Sequence, residues 1–506
     1  MADYQLSKDY VFASGDKQGL LRSPAGAWVR PSNWSAMQKI SVSLPESHGL
    51  WEHQIEAAKF ALSRKKHGGS LLAMDMGTGK LRTSLLIATE LKARVILVVA
   101  TKRAVDEWTL QLEQWWTYGN KTVLSYPDKT VAQEVALFKR GISEAWHRGD
   151  TIFVLINYAR AWRPPFVSFA KNVMWDLIIS DEVHKIKAPG GKMSKALHTI
   201  GTGAKYKLGL TGTPMPHEHV DIYATARFID SSVYGTRYND FLEKFAVMGG
   251  YESRQVVGIR NIEEFTDLFW SFTYRVDSSV QDLPAIRNTK MSVLLNKKTM
   301  NVYRKLEKEY VIKVKKDGQR HEISVDNTLT CMLRLMQITS GFLPNDDGEI
   351  VHLGRDKEES LEDVADRIDE NETVVVFANF HEDLDAIERV AKRLKRPYGE
   401  ISGRRSDYLA WRRGQKIGVL GVQLQAGAEA INLTQANTAV FYNLPLSLDL
   451  FKQAKKRLHR PGQNRKVLFV YLIAKGTWDV KTKNALIRRE DVVQSVIKDI
   501  QRLELV

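Results

Sequence analysis

Short apolar runs alternate along this chain with longer stretches in which apolar positions recur at helical spacing. Runs without a polar alternate suit strands buried on both faces, so the pattern predicts an α/β fold whose parallel sheets are covered by helices. In the first half the strand candidates are residues 70–74, 95–100, 152–156, 177–180 and 207–210; in the second half they are 373–378, 417–422, 439–443 and 467–473. Two lobes of one class are expected, at 48–220 and 352–490.

Between them, 221–351 reads as an inter-lobe linker with a mainly helical insertion. A hairpin is expected inside it, with 310–315 and 321–325 flanking Asp317-Gly318, a favoured tight-turn pair. Residues 1–47 carry Trp28, Arg30 and Trp34 without a readable period, and 491–506 reads as a terminal helix. No internal repeat is seen.

With 506 residues and 43% hydrophobic content, the chain can bury the cores of two domains. Its 74 Lys and Arg exceed 59 Asp and Glu, for a formal charge of +15. The resulting pI near 9.5 favours a polyanionic partner such as nucleic acid. The amino terminus has no secretory pattern and no apolar run is long enough to span a bilayer, so work in the cytoplasm without a membrane partner is expected. Cys331 is the single cysteine, which excludes an internal disulfide and a cysteine-based zinc cluster and leaves a buried structural thiol.

Four segments far apart in sequence describe one chemistry. Asp75-Met76-Gly77-Thr78-Gly79-Lys80 follows a buried strand candidate, and its glycines let the main chain approach an anion closely. A helix starting near Lys80 would aim backbone N–H groups at the β- and γ-phosphates of a nucleotide, with the Lys80 ammonium as a point charge. The usual leading glycine of such a loop is absent. So is the Ser or Thr that ordinarily follows the lysine and binds Mg²⁺; Leu81 stands there, Thr83 would point away, and Ser84 lies about a turn (roughly 5 Å) distant. Weakened Mg²⁺ affinity with ATP hydrolysis retained is the expectation.

The second segment, Asp181-Glu182-Val183-His184, follows an apolar run that would deliver its acids to the carboxyl edge of a sheet. Asp181 is the candidate Mg²⁺ ligand and Glu182 the candidate base for in-line attack by water, although two acids after an apolar run also serve as a plain helix cap. The third, Leu210-Thr211-Gly212-Thr213-Pro214, is a loop candidate. The fourth contains Gln453, Arg457 and Arg460, which fall on one stripe if 453–460 is helical, with Pro461-Gly462 ending the helix. Arginine suits charge that spreads over γ-phosphoryl oxygens in a transition state.

From Trp51 to Glu490 the chain resembles superfamily-two helicase-type motors of the Swi/Snf group, and most diagnostically in Gln453-Ala454-Lys455-Lys456-Arg457-Leu458-His459-Arg460-Pro461-Gly462-Gln463. The compact form is similar to versions encoded by bacteria and their phages. The resemblance implies two RecA-like lobes, each a mainly parallel sheet covered by helices, with ATP and Mg²⁺ bound in the cleft and movement along double-stranded DNA. It further implies adenine reading by Gln54 beside His53, phosphate binding by Gly77, Thr78, Gly79 and Lys80, and Gln453 as an additional nucleotide contact. It assigns DNA-backbone contacts to Thr101, Lys102, Arg103, Asn157, Tyr158, Gly427 and Thr434. His184, Thr211, Gly212 and Thr213 are implied to couple hydrolysis to lobe movement. Residues 374–380 resemble the fourth motif of the group and 425–434 the fifth, where Ala428, Ala430 and Gln423 depart from its usual residues.

Basic pairs at Lys392-Arg393, Lys395-Arg396, Arg404-Arg405 and Arg412-Arg413 jointly support sequence-independent binding of duplex or branched DNA. The expected protein is thus a monomeric DNA-dependent ATPase and translocase, acting in a bacterial cell or phage-infected host, with replication or recombination proteins as further partners. A nucleic-acid-binding scaffold with weakened ATPase and an RNA helicase remain as alternatives.

Overall fold

In the computed structural model, which describes residues 20–42, 49–216, 218–249, 255–280, 283–318, 325–345, 347–427 and 431–488, the apolar runs are strands. The chain divides into two compact units at Asp282/Leu283, inside the span read as linker. Among the described residues no helix is long and apolar enough to cross a membrane.

The first unit contains β1 (Leu21–Arg22), β2 (Trp28–Val29), β3 (Gly69–Met74), β4 (Val95–Ala100), β5 (Lys121–Leu124), β6 (Thr151–Asn157), β7 (Leu177–Asp181), β8 (Tyr206–Thr211), β9 (Ala246–Gly249), β10 (Gln255–Ile259) and β11 (Thr273–Val276). Nine of these form one sheet in the order β1-β2-β11-β3-β8-β7-β4-β6-β5, while β9 and β10 form a separate antiparallel hairpin. From β11 to β5 every pairing is parallel; only β1 and β2 are antiparallel to their neighbours. All residues of β3 and β4 are buried, as strands with helices on both faces require. Side-chain caps fix helix starts where the sequence offers them: Thr101 accepts from Ala104 N, and Thr130 with Gln133 closes a capping box.

The second unit contains β12 (Ile286–Val293), β13 (Phe342–Pro344), β14 (Ile350–His352), β15 (Val374–Ala378), β16 (Tyr398–Ile401), β17 (Val419–Gln423), β18 (Thr438–Phe441) and β19 (Val467–Ala474). Six of them form an all-parallel sheet in the order β12-β19-β18-β15-β17-β16. The expected α/β class, with two parallel sheets flanked by helices, is the one observed.

The span 221–351 differs from its reading. It supplies β11 to the first sheet and β12 to the second. The expected hairpin is absent at its first arm: helix Lys297–Gly318 runs through 310–315, and Val325 begins helix Val325–Thr339, while 321–324 lie outside the described residues. Lys, Glu and Arg make up ten of the twenty residues 297–316, so helix propensity outweighs the Asp-Gly turn signal. Residues 20–38 are also built into the first unit, through β2 on β11 and helix Pro31–Gln38. The terminal segment 491–506 lies outside the described residues.

Candidate active site

Three of the four segments converge in the first unit because β3, β8 and β7 are adjacent and parallel, which puts their carboxyl ends on one edge. The loop after β3 carries two left-handed glycines, Gly77 (φ 84°) and Gly79 (φ 83°), and Gly79 is the N-cap of helix Lys80–Glu90. The positive φ of Gly79 favours glycine, and a Cβ there would displace the Gln54 amide, whose Nε2 lies 2.0 Å from that position. Gln54 Nε2 donates to Gly79 O at 3.2 Å, His53 Nε2 lies 2.9 Å from Thr78 O, and Thr78 Oγ1 donates to Asp75 O at 2.7 Å. Burial lowers the His53 pKa, so the neutral ring donates to that carbonyl. Lys80 Nζ reaches Met74 O at 2.8 Å and Asp75 O at 3.3 Å, carbonyl contacts that phosphate oxygens can replace. The loop and helix start thus offer N–H groups, a helix dipole and a cation to an anion.

Both hydroxyls near Leu81 donate to main-chain carbonyls, Thr83 Oγ1 to Gly79 O at 3.1 Å and Ser84 Oγ to Leu81 O at 2.6 Å. A divalent ion at this site would rely on Asp181, phosphate oxygens and water, a donor set that suits Mg²⁺.

Asp181 ends β7, and its Oδ2 accepts from Trp108 Nε1 at 3.0 Å. Desolvation, reinforced by Glu182, raises its pKa to about 6, against the opposing pull of Lys80. Glu182 turns the chain in the left-handed region (φ 53°, ψ 52°), and its Oε2 is 3.4 Å from His184 Nδ1. His184 Nδ1 is also 2.9 Å from Thr211 Oγ1 and 3.5 Å from Thr213 Oγ1, while Thr213 N donates to Thr211 Oγ1 at 3.0 Å. Burial lowers the His184 pKa. A Cβ on Gly212 would sit 3.5 Å from Met74 O and 3.8 Å from Met76 N, so this loop abuts the start of the phosphate loop. Lys80, Asp181, Glu182, His184, Thr211, Gly212 and Thr213 therefore belong to one locale, in which a cation and a helix start lie near paired carboxyl groups.

The DNA-contact candidates are placed less uniformly. Thr101 and Asn157 cap helices through Ala104 N and Arg160 N. Lys102 and Arg103 open helix Lys102–Trp115. Tyr158 is 5% exposed, and its hydroxyl lies 2.8 Å from both Ser180 Oγ and Asp181 O, so it braces the acid strand instead of facing a phosphate backbone. Trp108 and Ser180 were not anticipated; nothing in their sequence spacing marks them as partners of Asp181 and Tyr158.

In the second unit, helix Leu448–Leu458 carries Gln453 and a buried Arg457, but it stops before Arg460. The expected continuous stripe through residue 460 is corrected here: Pro461 disfavours helical backbone at Arg460, and His459 Nε2 is held 2.7 Å from Pro284 O. Arg460 Nη1 donates to Ile431 O at 3.4 Å, and Gln463 Nε2 donates to Thr434 O at 3.3 Å and Ala436 O at 2.8 Å. Thr434 Oγ1 donates to Asn432 Oδ1 at 2.9 Å, and Gly427 lies in the short helix Leu424–Gly427. Residues 428–430 lie outside the described residues.

Four of the eight residues in the basic pairs meet acids within the unit. Arg393 binds Glu358 and Glu362, Arg404 binds Glu400 and Asp385, Arg405 binds Asp407, Lys392 binds Glu388, and Arg396 caps Ala365 O and Ile368 O. Their joint reading as a phosphate-tracking face is therefore weakened.

The SNF2-related domain model matches residues 53–341, and the helicase conserved C-terminal domain model matches residues 356–462. The chain is 24% identical over 470 residues to a Mycoplasma pneumoniae protein named "Uncharacterized ATP-dependent helicase", covering 90% of the chain and 43% of that protein. It thus spans less than half the length of that relative. It is 22% identical over 533 residues to "Uncharacterized ATP-dependent helicase YqhH" of Bacillus subtilis, covering 94% of the chain and 86% of that protein. The solved Sulfolobus solfataricus SWI2/SNF2 ATPase core in complex with dsDNA aligns at 22% identity and a TM-score of 0.40, covering 90% of this chain and 95% of that one.

Proposed function

The chain belongs to the SNF2-related family, and from that premise we propose that it is an ATP-hydrolysing motor that moves along duplex or branched DNA without reading sequence. The observation carrying this reading is the locale at the carboxyl ends of β3, β7 and β8, where Lys80, the Asp181-Glu182 pair and the His184–Thr211 contact lie together. In it, Gly77, Thr78, Gly79 and Lys80 bind the phosphates and Gln54 reads the base. Glu182 orients and deprotonates the attacking water. Mg²⁺, where bound, is held by Asp181 and neutralises phosphate charge.

From the second unit, Gln453, Arg457 and Arg460 act on the nucleotide, the arginines on charge developing at the γ-phosphoryl group. Release of phosphate alters the His184–Thr211–Thr213 contacts, and this change drives movement of one lobe along the DNA. Thr101, Lys102, Arg103, Asn157, Gly427 and Thr434 supply backbone contacts, and the protein acts as a monomer in the cytoplasm.

Leu81, with Thr83 and Ser84 engaged elsewhere, favours a second reading in which turnover is weak and nucleic-acid binding is the main activity. Phosphate release measured with single-stranded, duplex, forked and junction DNA and with RNA separates the readings. Stimulation by duplex or branched DNA, abolished by Glu182→Gln, is expected. Stimulation by RNA alone identifies an RNA helicase, and tight DNA binding without turnover identifies a scaffold.

A further inference from the structure

Strand β11 touches two parts of the candidate nucleotide site at once. Its Val276 carbonyl accepts from Asp75 N at 2.9 Å, fixing the first residue of the phosphate loop. Two residues earlier, the Tyr274 hydroxyl reaches His53 O at 3.1 Å and Glu56 Oε2 at 3.1 Å, both on helix Glu52–Ser63, which carries His53 and Gln54. That same Glu56 oxygen accepts from Ser23 Oγ at 2.5 Å. Ser23 belongs to the turn between β1 and β2, closed by Ala27 N on Ser23 Oγ at 3.0 Å, and β2 pairs with β11 at Trp28 and Arg275.

Ser23, Glu56 and Tyr274 are all buried. Residues 20–38 are anchored nearby by Asn33 Nδ2 on Trp270 O at 2.9 Å and by Arg30 with Asp267. A carboxylate here demands donors, and it finds one on the amino-terminal turn and another on the strand beside the phosphate loop. Desolvation raises the Glu56 pKa, while the Ser23 and Tyr274 hydrogen bonds oppose that shift.

We propose that residues 20–38 position the base-binding end of the nucleotide site, clamping helix Glu52–Ser63 against the phosphate loop through Ser23, Glu56 and Tyr274. The proposal rests on the nucleotide reading above. None of the three residues touches the loop itself; each acts through His53, whose ring holds Thr78 O, and Gln54, whose amide holds Gly79 O. They are positioning residues. The amino-terminal stretch is thereby given a role that its sequence does not announce.

The test compares full-length wild type, Ser23→Ala, Ser23→Thr and Glu56→Gln in steady-state ATP hydrolysis and in binding of a fluorescent ADP analogue and of inorganic tripolyphosphate. Loss of one hydrogen bond to a buried carboxylate should weaken ADP binding and raise KM for ATP roughly ten-fold in Ser23→Ala. The clamp predicts kcat within about two-fold of wild type, tripolyphosphate binding unchanged, and recovery in Ser23→Thr. A purely structural role lowers the active fraction instead, so reduced kcat with unchanged KM and ADP affinity overturns the clamp. Unaltered ADP affinity in both Ser23→Ala and Glu56→Gln also overturns it. Wild-type protein that binds neither ADP nor tripolyphosphate removes the nucleotide reading and the clamp together.

Discussion

Position 81 isolates a single departure from the chemistry the surrounding residues describe. A hydroxyl after the lysine would ordinarily add one oxygen to a phosphate-bound metal, and here an aliphatic side chain takes its place while Thr83 and Ser84 donate to main-chain carbonyls. Asp181 then becomes the only protein oxygen proposed for the metal. Leu81→Thr is expected to lower the Mg²⁺ concentration giving half-maximal ATP turnover by about ten-fold, as one added ligand oxygen contributes on the order of 1.4 kcal/mol. A Mg²⁺ titration of turnover checks this; an unchanged midpoint means that the metal shell is completed some other way.

At the scale of elements, ties between neighbours are made by buried polar groups. His219, in the turn His219–Asp221, holds the end of helix Tyr238–Phe245 through Nε2 and Phe245 O at 3.1 Å. Burial depresses its pKa from 6.5 to about 4, so the folded ring binds a proton less readily than the unfolded one. The neutral-ring stability is fully present above pH 6.5 and is lost as pH falls towards about 4, to a limit of about 3 kcal/mol. His219→Gln keeps an amide donor for Phe245 O and removes the titration. The difference in unfolding free energy between the two proteins should therefore change between pH 7 and pH 4.5, in favour of the variant at low pH. A pH-independent difference means that His219 does not titrate there.

Elements were legible where burial on both faces leaves an uninterrupted apolar run, as in Val95–Ala100 and Val467–Ala474. β11 is only four residues long and carries an arginine, and β12 is a largely exposed edge strand with the polar sequence Ile-Arg-Asn-Thr-Lys-Met-Ser-Val, so neither stood out from a helical surrounding. The helix through 310–315 was hidden by an Asp-Gly pair that reads as a tight turn but lies within the helix. In the site, glycine and acid motifs showed which residues meet, because chemistry restricts residue type at the ends of adjacent strands. The burial of Tyr158, the Trp108–Asp181 contact and the pairing of Arg393 with Glu358 depend on distant partners, and no local pattern encodes them.

Over the whole molecule, Gly77 to Lys80, Asp181, Glu182 and Thr211 to Thr213 lie in the first unit, and Gln453, Arg457 and Arg460 lie in the second. The net charge of +15 belongs to this scale as well, and Arg393, Arg404 and Arg405 are each offset locally by an acid. The central proposal is that Arg457 and Arg460 act in ATP hydrolysis. It is tested most directly by the rate of duplex-stimulated phosphate release in Arg460→Ala and Arg457→Lys, measured beside the affinity of each protein for a fluorescent ADP analogue. The account predicts turnover reduced by at least about a hundred-fold with ADP affinity within a few-fold of wild type, because the arginines act on charge that develops only during transfer. Full duplex-stimulated turnover in folded Arg460→Ala and Arg457→Lys proteins would contradict it.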